Sequence, residues 1–514
     1  MNIYIGIDCG TSSVKVVAFN DEGDEIQKYS KENEATYFDG KAEQSMYELW
    51  NNVYESLKKL IDSLGDQKCK IKAIGVTGQG EGLWTLDQEL NPIEPAWLWN
   101  DGRSSDLVNQ LKADKQKYEA LKLELGTFLK PGSTLTLLKW LKENDRERYN
   151  QTSVIFSCKD WIRYKLTGNV YWELSDATCS NVNLQTKQYS TMAYELLEIE
   201  EVKEKLPELI ASIDESGILS EELATEFNLN QRIPISGGMI DIVATAAGQG
   251  AVNEKDISII MGTTGMTFSV LNTYTADLKF NGWETHMDSN QYIKGMGTMA
   301  ATPNLDWIIS VLSLERKQIL ESVDEDFKDY QPFQSGVIYH PHISVSGERA
   351  PFYNEKATAQ FLGMKQSTTT KDLIHSVLEG VVFSINDCLL DVCDKENVYV
   401  SGGGSNSLIW LQILSDCLGV EIKLSKGKEL AAKGAVLSAI YMLNKGDIPK
   451  GKVETFCQTE RTISPNSINH QLYKEIFKLY KDTQDKMTYF WDRRNELIEK
   501  RESNERKKTY ANFS

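Results

Sequence analysis

Near its start the chain alternates apolar and polar positions with a period of two. In Ile3 to Asn20, Ile3, Ile5 and Ile7 lead into Asp8, Gly10-Thr11-Ser12-Ser13 breaks the run, and Val14, Val16, Val17 and Phe19 resume it. This predicts strand, tight turn and strand. The pattern returns half a chain later in Ile257 to Leu271, where Gly262-Thr263-Thr264-Gly265 interrupts an apolar run. A repeat at that distance predicts two similar domains, each with one such hairpin. Elsewhere the period becomes helical. Leu49, Val53, Leu57, Leu60 and Leu64 share one face of Met46 to Leu64, and Val377, Leu378, Val381 and Ile385 share one face of Leu373 to Leu390. Ile71 to Thr77, Ile233 to Ser236 and Val398 to Val400 read as short buried strands, each running into a Gly-containing turn. Met192 to Glu226 is acidic and reads as a mostly helical surface segment, while Arg493 to Lys508 mixes both charges with few apolar residues and reads as a solvated helix or disorder.

Length and charge narrow the picture. A chain of 514 residues exceeds what one hydrophobic core serves. We expect an N-terminal domain over 1–249, a C-terminal domain over 250–490 and a charged tail over 491–514. The formal charge of −18 disfavours a nucleic-acid partner, which needs a basic surface. No apolar run is long enough for a bilayer, and no export signal precedes the first strand, so a cytoplasmic location with no membrane partner is expected. The eight Cys lack metal-ligand spacing and are expected as free thiols. A P-loop GxxxxGK[ST], a GxGxxG in a βαβ setting and a GxSxG are all missing, which sets aside those nucleotide folds and the hydrolase triads.

Five stretches carry candidate chemistry. At Gly10-Thr11-Ser12, N–H and O–H groups can converge on one concave spot that suits phosphate, and Asp8 just before it suits a metal ion or its waters. The loop Gly78-Gln79-Gly80-Glu81-Gly82 leaves room for a small ligand facing Gln79 and Glu81. In Trp97-Leu98-Trp99-Asn100-Asp101-Gly102-Arg103 an indole can pack on a polyol while Asp101 and Arg103 bond its hydroxyls; alternatively the Trp residues are core and Asp101 pairs with Arg103. Asp241 follows the Gly237-Gly238 turn and opens a helix. There the dipole would hold it ionised, either as a proton acceptor for an attacking hydroxyl or as a plain N-cap. In Ser401-Gly402-Gly403-Gly404-Ser405-Asn406 the glycines let backbone lie against a ring or phosphate, with Asn406 in reach.

The paired hairpins resemble the actin, sugar kinase and heat-shock ATPase superfamily. GIDCGTSSVK, TGQGEG, WLWNDGR, GGMID, MGTTG, GERAPF, EGVVFSINDCL, VSGGGSNSLIWLQILSDCLGV and AAKGA, in that order, resemble the FGGY carbohydrate kinases from Ile3 to about Asn444. The resemblance implies an α/β fold of two actin-like ATPase domains with ribonuclease H-like cores, ATP and Mg²⁺ in a cleft between them, and transfer of the γ-phosphate to a sugar or polyol. Residue by residue, it implies Asp241 as catalytic base and Asp8 near the metal. It implies Gly10, Thr11, Ser12 and Lys15 as the first phosphate loop, Gly262 and Thr263 as the second, and Gly403, Gly404 and Asn406 as the nucleotide site. It implies Gln79, Glu81, Trp99, Asp101, Arg103 and Asp241 around the substrate. Where xylulose kinases carry Met-His and glycerol kinases Arg-Glu, this chain has Gly80-Glu81. TGQGEGLW, PAWLWNDGR, CKDWIRYKLTG and MIDIVATAAGQG look most similar to erythritol kinases, with L-xylulose kinases next. A four- or five-carbon polyol, erythritol first, is the expected substrate, a ketopentose the alternative, and an actin-like ATPase or chaperone the rival of another class. A homodimer is left open.

Overall fold

A computed structural model describes residues 1–274, 277–288, 290–389, 395–446, 448 and 451–511, with side chains up to 503. Both predicted hairpins form. Strand β1 (Ile3–Cys9) pairs antiparallel with β2 (Ser13–Phe19) in a register that sets Asp8 opposite Lys15. Helix α1 (Met46–Ser63) follows; Ser45 accepts the Glu48 N–H at its N-terminus, and Leu49, Val53, Leu57 and Leu60 are buried. Strand β3 (Ile71–Gly78) lies parallel to β1. Next come α2 (Cys158–Thr167), ended by Gly168 in the left-handed region, the single turn α3 (Leu174–Ala177) and α4 (Asp241–Gln249). Strands β4 (Ile257–Met261) and β5 (Gly265–Leu271) form the second hairpin, and β6 (Val398–Ser401) lies parallel to β4. Helices α5 (Leu430–Leu443) and α6 (Ser467–Ala511) complete the labelled elements. Leu390, the expected end of the Thr370–Asp387 helix, and residues 512–514 of the tail lie outside the described residues.

The chain forms two compact units that interleave along the sequence: residues 1–256, 268–294 and 425–460 in one, residues 257–267, 295–424 and 461–514 in the other. The expected single break near residue 250 therefore has two exceptions. One is α5, whose small residues fix where it sits. A Cβ on Gly75 of β3 would lie 1.8 Å from the Ala435 carbonyl oxygen, and one on Gly434 would lie 1.8 Å from that of Ala244 in α4. Helix α5 thus packs backbone to backbone against the sheet on one side and α4 on the other, and only glycine allows that approach.

The sheet of the first unit has strand order Glu215–Ile218, Pro234–Ser236, β3, β1, β2, Glu25–Glu32, and Met239–Ile240 also pairs with β3. The expectation of mostly helix over Met192 to Glu226 is corrected here. Only Thr191–Leu196, the 3-10 turn Glu200–Lys205 and Glu221–Glu226 are helical, while Glu208–Ile210 and Glu215–Ile218 are strands. Pairing with Pro234–Ser236 decides the second strand, a tertiary contact that local composition does not encode. In the second unit β6 pairs parallel with Ile422–Ser425 as well as with β4. The charged tail is helical: α6 runs through it, anchored by buried Tyr473, Ile476, Tyr480 and Trp491. No helix of the described residues is long and apolar enough to cross a membrane.

Candidate active site

The turn after β1 is closed by the Gly10 N–H to the Ser13 carbonyl at 3.0 Å. Asn33 braces it, donating its amide N–H to the Ser12 carbonyl (2.9 Å) and its side-chain Nδ2 to the Gly10 carbonyl (2.9 Å). With those carbonyls engaged, the remaining polarity of the turn comes from N–H and O–H groups, as an anion site requires. Asp8 is half-buried, and desolvation pushes its carboxyl up to about 6 against the opposing pull of Lys15. The Lys15 ammonium pairs with Glu429 at 3.0 Å, and Glu429 also holds Lys28 at 2.8 Å.

Three loops gather beside this turn. Gln79, at the end of β3, donates Nε2 to Gln44 Oε1 (2.8 Å) and accepts the Thr11 hydroxyl at Oε1 (2.9 Å), so the expected substrate-facing amide is bolted to the phosphate turn. Glu81 has φ +59, uncommon for a residue with a side chain. Its N–H donates to Asp176 Oδ1 at 3.2 Å. Its Oε2 meets Lys130 Nζ at 2.8 Å, and its buried Oε1 has no hydrogen-bond partner. The Gly82 N–H donates to the Gly132 carbonyl at 3.1 Å, and a Cβ on Gly132 would sit 1.7 Å from the Trp99 carbonyl oxygen, which locks the three loops together.

Trp97 is core and Trp99 is not: Trp99 is 41% exposed and donates Nε1 to Thr11 Oγ1 at 3.2 Å. Asp101 and Arg103 take the alternative arrangement. Arg103 binds Asp101 through Nε and Nη2 at 2.8 Å each, reaches Glu43 at 2.7 Å and stacks on Trp97 with its guanidinium carbon 3.5 Å from the ring centre. Asp101 also accepts the Ala42 N–H at 2.8 Å and is 1% exposed. A fork-shaped guanidinium two residues from a carboxylate satisfies it completely, so the pair braces the Trp99 loop from behind.

Asp241 opens α4 as expected, and its Oδ1 accepts the Ile242 N–H at 2.7 Å. Its protonation differs from the expectation. Desolvation first, then the charges of Asp8 and Asp176, push its carboxyl up to about 7 in spite of that hydrogen bond and of Lys130. The short-range benefit of a helix end is the smaller effect here.

Behind it lies a fully buried charge cluster. Lys159 meets Asp160 (3.1 Å), Glu173 (3.2 Å) and Asp176 (3.4 Å), and Arg163 meets Asp160 (2.8 Å). Glu173 accepts the Ser175 hydroxyl at 2.6 Å, and the Ser175 Oγ accepts the Ile240 N–H at 2.9 Å, one residue from Asp241. Gln44, Lys130 and this cluster went unassigned in the sequence. Three of its charges, Lys159, Asp160 and Arg163, lie within α2, where their spacing forms no motif.

In the second unit the Gly262 carbonyl accepts both the N–H (3.1 Å) and the hydroxyl (2.7 Å) of Thr302, the same bracing that Asn33 gives the first turn. Thr263 is exposed at its tip. Gly402, at φ +92, and Gly404 both press on Met261, so the Gly-rich loop sits against the end of β4. Gly403 and Asn406 are exposed, and Asn406 donates Nδ2 to the Gly403 carbonyl at 3.1 Å. The structure thus gathers Asp8, Thr11, Gln79, Glu81 and Trp99 in one unit and Gly262, Gly403 and Gly404 in the other.

Residues 3–248 match the N-terminal domain of the FGGY family of carbohydrate kinases, and residues 257–443 match its C-terminal domain. The chain belongs to that family. It is 29% identical over 493 residues to a xylulose kinase of Staphylococcus xylosus, covering 94% of this chain and 100% of the relative. It is 28% identical over 521 residues to an erythritol kinase of Brucella abortus, covering 96% and 98%. A crystal structure described as a xyloylose kinase from Brucella ovis superposes with a TM-score of 0.86 at 25% identity, covering 95% of this chain and 100% of that one. This FGGY kinase is a phosphotransferase of the two-domain, actin-like, ribonuclease H-like fold and uses ATP.

Proposed function

We propose that this FGGY kinase transfers the γ-phosphate of ATP to a hydroxyl of a small polyol, erythritol first and another tetritol or a pentitol next, in cytoplasmic carbohydrate catabolism. The observation that carries the reading is Asp241, a half-buried carboxyl that heads α4 with its Oδ1 on the Ile242 N–H, and whose proton affinity burial first and the Asp8 charge second raise to about 7. A base with that affinity for protons works best near neutral pH.

In the reaction, the acceptor hydroxyl donates its hydrogen bond to Asp241, gives up the proton to it, and attacks the γ-phosphorus as the bond to the β–γ bridging oxygen breaks, leaving ADP. Thr11 and Ser12, with Gly262 and Thr263, take phosphate oxygens, and Gly403, Gly404 and Asn406 take the nucleoside end. Trp99 offers an indole face to the carbon chain. Gln79 holds Thr11, and Asp101 with Arg103 holds the Trp99 loop. Asp8, half-buried near the end of β1 just before the phosphate turn, would hold Mg²⁺ together with phosphate oxygens, the usual mode for this hard cation. When bound, it screens the phosphate charge.

The unpartnered Glu81 Oε1 offers a hydrogen-bond acceptor to a substrate hydroxyl, which a polyol and the second reading, a ketopentose, both supply. The identities to xylulose kinases keep the ketopentose in view. The test is ADP release with a panel of tetritols, pentitols and ketopentoses. Turnover of ATP that no acceptor stimulates would overturn the proposal.

A further inference from the structure

Lys130 lies outside every motif that marked the family, yet it touches the acceptor loops at two points. Its ammonium is 2.8 Å from Glu81 Oε2 and stands 6.0 Å from the ring centre of Trp99. Its charge also reaches Asp241, whose carboxyl it pulls down. Glu81 cannot turn away from it freely. The residue is 7% exposed, its backbone is held left-handed, and its N–H is tied to Asp176, which Lys159 anchors in turn.

We propose that Lys130 is a specificity-determining residue: it clamps one oxygen of Glu81 so that the other is offered to a hydroxyl of an uncharged substrate, and the pair rejects substrates bearing a carboxylate. This rests on the reading of the 78–82 loop as the acceptor site. With Lys130 neutralised by Glu81, an acidic substrate meets the carboxyls of Glu81 and Asp241 beside a cation that is already paired. A neutral polyol meets an open hydrogen-bond acceptor.

The experiment compares each alditol with its aldonate, erythritol with erythronate and ribitol with ribonate, by ADP release. The proteins are the wild type, Lys130→Met, Glu81→Gln and the double variant. Lys130 is half exposed, so its replacement leaves the fold intact; unchanged KM for ATP and an unchanged melting temperature check this. Lys130→Met raises the alditol KM about tenfold with kcat within about threefold, because only acceptor binding is disturbed. Glu81→Gln removes the negative charge that neutralises Lys130 and raises the aldonate-to-alditol ratio of kcat/KM about tenfold, and adding Lys130→Met removes that gain.

A wild-type enzyme that uses aldonate and alditol equally, or a Glu81→Gln ratio that stays put while the alditol KM moves, would overturn the charge filter alone. If both variants left every acceptor KM and kcat unchanged, the acceptor-site reading itself would fall.

Discussion

The hydroxyl of Thr11 donates to Gln79 Oε1 at 2.9 Å, joining the phosphate turn to the first acceptor loop through one hydrogen bond. The Thr11 Oγ1 in turn accepts Trp99 Nε1 at 3.2 Å. Thr11→Val keeps the shape and removes both bonds. The acceptor KM and the ATP KM should both rise, with kcat/KM falling about tenfold, the scale of one lost buried hydrogen bond. A change confined to the ATP KM would show that the link does not serve the acceptor.

Asp241→Asn keeps the side-chain volume and removes the base. Expected is a fall in kcat of roughly 10³ with acceptor and nucleotide affinities preserved by calorimetry. Near-normal turnover would remove Asp241 from the role.

The same carboxyl sets two pH dependences of opposite sign. As a base it must be ionised, so kcat/KM should rise as pH increases through about 7. For stability, Asp8 (about 6), Asp176 (about 7) and Asp241 (about 7) all hold protons more tightly folded than at their ordinary 3.8. Their contribution is fully present below about pH 4 and is lost as pH rises through 6 to 7. The metal-free Asp241→Asn protein should therefore melt a few degrees above the wild type at pH 8, with the gap closing at pH 4. A gap that widened toward acid would contradict the sign.

Chelation should abolish transfer and added Mg²⁺ restore it. Asp8→Asn should raise the Mg²⁺ concentration for half-maximal rate about tenfold, as the loss of one charged ligand among phosphate oxygens would. An unchanged Mg²⁺ requirement would move the metal elsewhere.

Gly434→Ala places a methyl 1.8 Å from the Ala244 carbonyl and must push α5 away from α4. Overpacking of this kind costs about 1–3 kcal/mol, read as a lower denaturant midpoint. No loss of stability would mean that the helices part without strain.

Particular residues show how far the sequence could be read. Ile3 to Phe19 and Ile257 to Leu271 declared their strands and turns because each alternation and each Gly-hydroxyl break is local. Gly10, Thr11, Gly262 and Gly403 were placed by motif, and Asp241 by its position after Gly237-Gly238. Asp101 and Arg103 allowed two readings, and the fold chose the mutual pair because Glu43, the Ala42 N–H and the Trp97 ring converge on them from other segments. Lys130 and Gln44 carried no pattern at all.

What the chain determined alone was periodicity: where strands and helices run, where glycine lets backbone turn, and that the hairpin occurs twice. Tertiary structure alone decided the protonation of Asp241, the clamp of Lys130 on Glu81 and the return of α5 to the first unit. Those depend on desolvation and on charges brought close from distant segments, and through-space distances have no counterpart in residue spacing.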